Sequence, residues 1–238
     1  MKTVDFRNII LFENEDYILV DKPAYLSALD ERDQTVSSLK DLAREYHPEA
    51  TLCHRLDKET SGVLALSKNQ EAYRNLAIQF EDREVSKIYH AVSEGLHQFE
   101  NEAIDQPILK QTNGFVKIDR FRGKEALTYV STLKAFKNYT LLECKPVTGR
   151  LHQIRIHLAF LSASIAGDDK YGGHHVYLSD IKKRYNLKKD TEELPLMKRV
   201  ALHAFQLRFR GLDGKEIIGQ SPYPKDFAVL VKQLEKYS

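Results

Sequence analysis

The stretch TLCHRLDKETSGVLALSKN, Thr51 to Asn69, decides how this chain is read. Val63 to Leu66 is a short apolar run with the length of a buried strand, and Thr60-Ser61-Gly62 just before it reads as a turn. His54-Arg55-Leu56-Asp57 places an acid directly after a basic run, so a carboxylate is held in a loop against a rigid strand. Function concentrates on loops carried by scaffolds. Residue chemistry alone leaves two readings of Asp57 open: a functional carboxylate, or an acid merely paired with Arg55 or Lys58.

Outward from this stretch, 238 residues fit one large domain or two small ones, and a hydrophobic fraction of 42% is ample for a core. The formal charge of +2 is only weakly basic, so bulk charge neither demands nor excludes a nucleic-acid partner. Cys53 and Cys144 are the only cysteines and form no CxxC, which suggests neither a disulfide framework nor a zinc module. There is no apolar segment of signal-peptide type and no run of roughly 18 apolar residues. A soluble protein in a reducing, cytoplasmic setting, with no membrane partner, is expected.

Ile9 to Phe12 and Tyr17 to Val20 read as strands joined through Glu13-Asn14-Glu15-Asp16, and Pro23 ends the second. Val36 to Tyr46 has a helical period with Thr35 as N-cap and Pro48 beyond its end. A second helix after Asn69 aligns Tyr73, Leu76, Ala77 and Phe80. Val85 to Val92 alternates like a strand, which puts Lys87 and Tyr89 on one face. In such a strand a Tyr is first of all a packing residue and a Lys a solvated one. Ala126 to Leu133 and Tyr139 to Lys145 form a hairpin, Asp213-Gly214 supplies another hairpin turn, and a final helix follows Pro224 with Phe227, Leu230, Val231 and Leu234 in its stripe.

Charge is unevenly placed. Glu94 to Asp105 holds four acids and no Lys or Arg, so this connection is expected to face away from a polyanion. Lys117, Arg120, Arg122 and Lys124 follow with only Asp119 against them and with Phe115 and Phe121 interleaved. Such a run is either a solvated face or one edge of a footprint for phosphates. Asp180 to Arg199, with seven Lys or Arg and four Asp or Glu, reads as an insertion, partly mobile. In Thr148-Gly149-Arg150-Leu151-His152-Gln153-Ile154-Arg155-Ile156-His157 an apolar stripe leaves His152 and Arg155 as neighbours on another face. An ordinary amphipathic helix with a basic outer face explains that pattern, and so does an anion site at a helix N-terminus. His152 and His157 lie five apart with no third ligand nearby, which argues against zinc or any other metal.

HRLDKETSG resembles the HRLDxxTSG signature of the RluA-type RNA pseudouridine synthase family, and further pieces occur in the family's order. ILFENEDYILVDKPA resembles its opening motif, with Tyr25 where Gly is usual; that turn favours Gly if its φ is positive. The strand with Lys87 and Tyr89 resembles KxYxAxV, and TGRLHQIRIH resembles TGRTHQIRVH with Leu151 where Thr is common. Gly167-Asp168-Asp169-Lys170-Tyr171-Gly172 resembles GDxxYG, where Asp168 reads as a turn former, and Leu202-His203-Ala204 resembles the closing LHA strand. The likeness covers roughly residues 9 to 230, and motifs in sequence are far more specific than any one alone.

That resemblance implies an α+β fold: a bent, mostly antiparallel mixed sheet with flanking helices and a central active-site cleft. It also implies one catalytic domain over residues 1–238 without a separate N-terminal S4 module, acting as a monomer. The implied activity is isomerisation of uridine to pseudouridine in rRNA, tRNA or both, by a catalytic aspartate, with base flipping and no cofactor. Carried over by motif, Asp57 is the catalytic acid, Tyr89 packs on the target base, and Arg155 pairs with the acid. His54, Arg55, Lys87, Arg150 and His152 line the RNA side, Arg55 holding the gap left by the flipped base. Two rivals are a non-catalytic RNA-binding protein and an N-glycoside hydrolase, although a hydrolase usually carries paired acids.

Overall fold

The short apolar runs and their punctuation translate directly into elements: β1 (Ile10–Glu13), β2 (Tyr17–Lys22), α1 (Leu39–Tyr46), β3 (Thr51–Leu52), β4 (Ser61–Ser67), α2 (Gln70–Glu81) and β5 (Ser86–Glu94). β6 (Glu102–Asp105), β7 (Ile108–Lys110), β8 (Val116–Ile118), β9 (Leu127–Ala135), β10 (Tyr139–Pro146), α3 (Gln153–Phe160) and α4 (Leu178–Ile181) follow. β11 (Leu202–Arg210), β12 (Glu216–Gln220) and α5 (Lys225–Lys236) complete the chain. The structure is a computed structural model that describes residues 4–29, 37–112, 114–187 and 191–238. It packs as two units, the first up to Ile88 together with His203–Pro222, the second Tyr89–Leu202 together with Tyr223–Ser238. Among the described residues no helix is long and apolar enough to cross a membrane.

In the first unit β4 is the central strand and is buried along its whole length. One edge pairs antiparallel with β2, from Tyr17 opposite Ser67 to Lys22 opposite Gly62. The other edge takes β11 in parallel at Ser61 and Gly62 and β3 antiparallel at Leu66 and Ser67. β1 extends the sheet beyond β2, and β12 beyond β11. Gly62 has φ +119°, and a Cβ there would stand 2.2 Å from the Ala204 carbonyl oxygen, so only glycine permits this crossing. The turn expected at Thr60-Ser61-Gly62 lies earlier. The Thr60 N–H donates to the Asp57 carbonyl at 3.0 Å, and Ser61 and Gly62 are already strand.

The two helices of this unit begin on side-chain caps. Ser38 caps α1 in a reciprocal box with Asp41, satisfying N–H groups that the first turn leaves without partners. This places the start at Leu39; the expected Thr35 cap and Val36 lie outside the described residues. Asn69 caps α2 through the Ala72 N–H at 2.8 Å. The buried stripe of α2 is Ala72, Leu76 and Gln79, turned by about one residue from the expected one. The cause is Gln79, whose amide both donates to the Arg210 carbonyl and accepts its N–H, each at 2.8 Å.

In the second unit β5, β10, β9 and β6 form an antiparallel sheet in that order, and β7 pairs with β8 as a separate hairpin. Ala91, Val92, Val130, Leu142, Leu158, Phe227, Leu230 and their neighbours make its core. Within each unit the pairings of the described strands are antiparallel apart from β4 with β11, which fits the expected α+β class with mostly antiparallel strands. The C-terminal part of the Asp180 to Arg199 segment is fastened to the second unit. Leu196 N–H donates to Val176 O at 2.8 Å, Met197 is buried, and Arg199 is 1% exposed with both arms of its guanidinium on Asp226. A charge sequestered this way is sustained by its bidentate carboxylate and by the Val200 and Leu202 carbonyls.

Candidate active site

In the first unit the Asp57 loop is built on a buried lysine. Lys22, at the end of β2, is wholly buried, and its ammonium donates to the carbonyls of Pro23 at 3.0 Å, Leu26 at 2.9 Å and Lys58 at 3.3 Å. The Lys58 carbonyl also accepts the Tyr25 N–H at 2.7 Å. The turn that follows β2, at Ala24-Tyr25, and the Asp57 turn are thus one hydrogen-bonded piece. Tyr25, standing where glycine is usual, takes φ +67° with its side chain exposed. Backbone strain of this kind persists only where the surroundings impose it. Asp57 is half-buried and Arg55 is exposed.

His54 and Lys87 come together on Phe80. The His54 ring lies 5.0 Å from the Phe80 ring, and Lys87 Nζ lies 5.9 Å from the same ring. His54 Nε2 accepts the Ala65 N–H at 3.1 Å, which fastens the loop to β4. Burial, with a smaller contribution from the Lys87 charge, pushes His54 down to about 3, so near neutral pH it is a neutral acceptor. Burial likewise lowers Lys87 to about 8.

In the second unit the Thr148-Gly149-Arg150 loop is fixed by Gln153. Its Oε1 accepts from the Thr148 hydroxyl at 2.7 Å and the Arg150 N–H at 2.9 Å, while Nε2 donates to Leu127 O and Thr128 Oγ1, each at 3.0 Å. Arg150 itself is exposed and its Nε donates to the Glu125 carbonyl at 2.9 Å. His152 has φ +51° and stands just before α3. Its Nδ1 is 2.8 Å from the Tyr171 hydroxyl, and the Arg155 guanidinium lies 5.1 Å from the Tyr171 ring. The pattern that put His152 and Arg155 side by side therefore has a physical partner in Tyr171. His157 is scaffold: its two nitrogens are taken up by Thr128 Oγ1 and the Gln106 carbonyl at 2.9 and 3.0 Å.

Arg155 forms a buried bidentate pair with Asp168, Nε to Oδ2 at 2.7 Å and Nη2 to Oδ1 at 2.5 Å. Asp168 does form the expected turn, its carbonyl accepting the N–H groups of Tyr171 and Gly173. Its carboxylate has the additional task of aiming Arg155. Tyr89 is half-buried on β5 opposite Cys144 of β10 and packs against the core of the second unit. Sequence reasoning gave no role to Lys22, Tyr171 or the Asp168 carboxylate. The three-residue spacing of Asp168 and Tyr171 in a Gly-flanked turn was the available signal; Lys22 offered none. Chemically, a half-buried carboxylate on a rigid turn can act as nucleophile or base, and a pre-aimed guanidinium can hold an anion.

Comparison with known proteins points one way. The family model described as RNA pseudouridylate synthase matches residues 16–160. Ribosomal large subunit pseudouridine synthase C of Buchnera aphidicola is 31% identical over 98% of this chain and 72% of its own length. Ribosomal large subunit pseudouridine synthase D of Zymomonas mobilis is 31% identical over 94% of this chain and 72% of its own. Among solved structures, human RNA pseudouridylate synthase domain containing 4 has a TM-score of 0.72 at 25% identity, covering 97% of this chain and 94% of that one.

Proposed function

Because the chain belongs to the RNA pseudouridylate synthase family and is an RNA-modifying isomerase, we propose that Asp57 performs the isomerisation on uridines of ribosomal RNA. The observation that carries this reading is the bracing of the Asp57 turn by Lys22 and Tyr25, which holds one carboxylate in a fixed place within the matching motif. The reaction breaks the bond from the ribose to uracil N1, turns the base, and joins the ribose to C5; a proton leaves C5 and N1 gains one. Atoms and electrons balance without a co-reactant. Asp57 serves as nucleophile at the sugar or as a base there. Tyr89 packs on the base and Arg155 is the cation partnered with the acid, both assigned by motif, with His54, Arg55, Lys87, Arg150 and His152 toward the RNA.

Ribosomal RNA is favoured over transfer RNA because relatives named for the ribosomal large subunit match over most of this chain. A single catalytic domain, acting as a monomer in the cytoplasm, completes the reading. Incubation with RNA carrying radiolabelled uridine separates the candidate activities. Pseudouridine supports the isomerase, free uracil a hydrolase, and unchanged uridine an RNA-binding protein. Asp57→Asn should abolish product while binding stays within about threefold, since a carboxylate adds little affinity for phosphates; turnover above about a hundredth of wild type would remove Asp57 from the central role. Arg55 stacks into the gap left by the flipped uridine. 2-Aminopurine beside the target should brighten on binding wild type and less with Arg55→Ala; an equal rise would reduce Arg55 to an ion-pair role.

A further inference from the structure

Phe121 is the most exposed large hydrophobic side chain among the described residues, at 98%, with Leu96 next at 64%. It does not sit on a loose tip. Asp119 Oδ1 accepts the N–H groups of Phe121 and Arg122 at 3.1 and 3.0 Å, and the Asp119 carbonyl accepts the Gly123 N–H at 2.8 Å. The turn is fastened to β7 by the mutual backbone bonds of Lys124 and Ile108, both 2.9 Å, and by the Asp119 N–H on Pro107 O at 3.0 Å. Gly123 is required there: a Cβ would stand 2.4 Å from Asp119 O and 2.7 Å from the Pro107 carbonyl carbon. An aromatic ring is therefore held out in water by a rigid support, the reverse of what folding stability favours.

Its surroundings indicate what covers it. Lys117, Arg120, Arg122 and Lys124 are all exposed around the ring in sequence, and the single acid, Asp119, is engaged with Lys117 at 3.2 Å and Arg122 at 3.5 Å. A protein partner is met by a contiguous apolar patch, whereas one ring among cations suits a strand that alternates flat bases with phosphates. We propose that Phe121 is a stacking platform for an unpaired base of the substrate RNA, with the flanking cations on its phosphates. The proposal rests on the reading of the chain as an RNA pseudouridine synthase and adds to it a preference for single-stranded RNA at this turn.

Binding and turnover of Phe121→Ala, Phe121→Trp and Arg120→Ala test it. The Phe121 ring touches little, so the melting temperature of Phe121→Ala should match wild type. Phe121→Ala should weaken binding of a single-stranded oligouridylate about tenfold and of an RNA duplex by less than about twofold. Phe121→Trp should retain affinity, and Arg120→Ala should instead lower the salt dependence by roughly one phosphate contact on both RNAs. With in vitro transcribed large-subunit ribosomal RNA, Phe121→Ala should raise KM and leave kcat unchanged. Oligouridylate affinity unaltered in Phe121→Ala, or an equal loss on duplex, overturns the stacking role and leaves the ring to a protein partner. Wild type that yields no pseudouridine while Phe121→Ala still loses oligouridylate affinity would instead overturn the catalytic reading alone.

Discussion

Lys22→Met keeps the length of the side chain and removes its ammonium, which makes it a clean test of how the Asp57 turn is held. The ammonium serves three carbonyls in a wholly buried place. The Lys58 carbonyl keeps the Tyr25 N–H when the ammonium is gone, so Pro23 and Leu26 are the two that lose this donor. A buried acceptor left without a partner costs about 1–3 kcal/mol, so the two together cost about 2–6. Met spares the burial of a charge and returns part of this, so the expected net loss is about 2–4 kcal/mol. Urea unfolding should show the midpoint lowered at constant slope. Below the melting transition, turnover at saturating RNA should fall by about tenfold or more, because small misplacements of a reacting group are costly. RNA affinity should change little. A variant within about 0.5 kcal/mol of wild type and with full turnover would refute the argument that this lysine positions Asp57.

Arg155→Ala leaves the Asp168 carboxylate buried without its bidentate partner and should cost about 3–5 kcal/mol by chemical denaturation, with Arg155→Lys restoring only part; an unchanged Ala variant would show the pair to be dispensable. Tyr25→Gly should gain about 0.5–1 kcal/mol, since it removes a left-handed strain of about 1–2 and adds back about 0.5–1 of chain entropy. Tyr25→Ala keeps the strain and should show no gain, and equal melting temperatures for the two would contradict this. For His54 the folded value, about 3, lies below its ordinary 6.5, so its stabilising contribution is full above 6.5 and is lost as pH falls toward 3. Between pH 6.5 and 5 this amounts to about 2 kcal/mol, and the acid limb of stability measured for His54→Gln should be flatter by that amount. Parallel profiles would mean that His54 charges in place.

What could be read directly was local. β4 announces itself by four consecutive apolar residues after a glycine, the β11 to β12 hairpin by Asp213-Gly214, and α5 by Pro224 and its stripe, because each is set by neighbours a few residues away. What could not be read depends on partners distant in the chain. Gly62 looked like a turn residue because Ala204, the reason for it, is roughly 140 residues on. Arg199 was only one more cation of a polar run because its carboxylate, Asp226, lies in α5. Thr35 was the expected cap of α1; the described helix starts on Ser38, whose box is completed by Asp41 within its own first turn. At the site, motif resemblance singled out Asp57, Tyr89 and Arg155, whereas residue chemistry alone left each with an ordinary alternative. Lys22 was invisible because a lysine at a strand end is normally solvated, and nothing local marks the three carbonyls that converge on it.

The parallel crossing at Gly62 has a consequence for how the protein is made. β4 emerges from the ribosome early with β3 at hand for the Leu66–Ser67 end of its second edge, but β11, which pairs with the Ser61–Gly62 end, is synthesised roughly 140 residues later. At translation rates of about 5–20 residues per second, that edge waits on the order of ten seconds. Through this interval the Ser61–Gly62 end of the strand lacks its partner, and an open strand edge is the form most prone to stick to other chains. Closing such a long loop also slows folding once synthesis ends. A chain that ends before His203 therefore lacks the strand that closes this edge of its first unit, and a circular permutant that places His203–Pro222 ahead of β1 would bring the two edges together during synthesis and raise soluble yield.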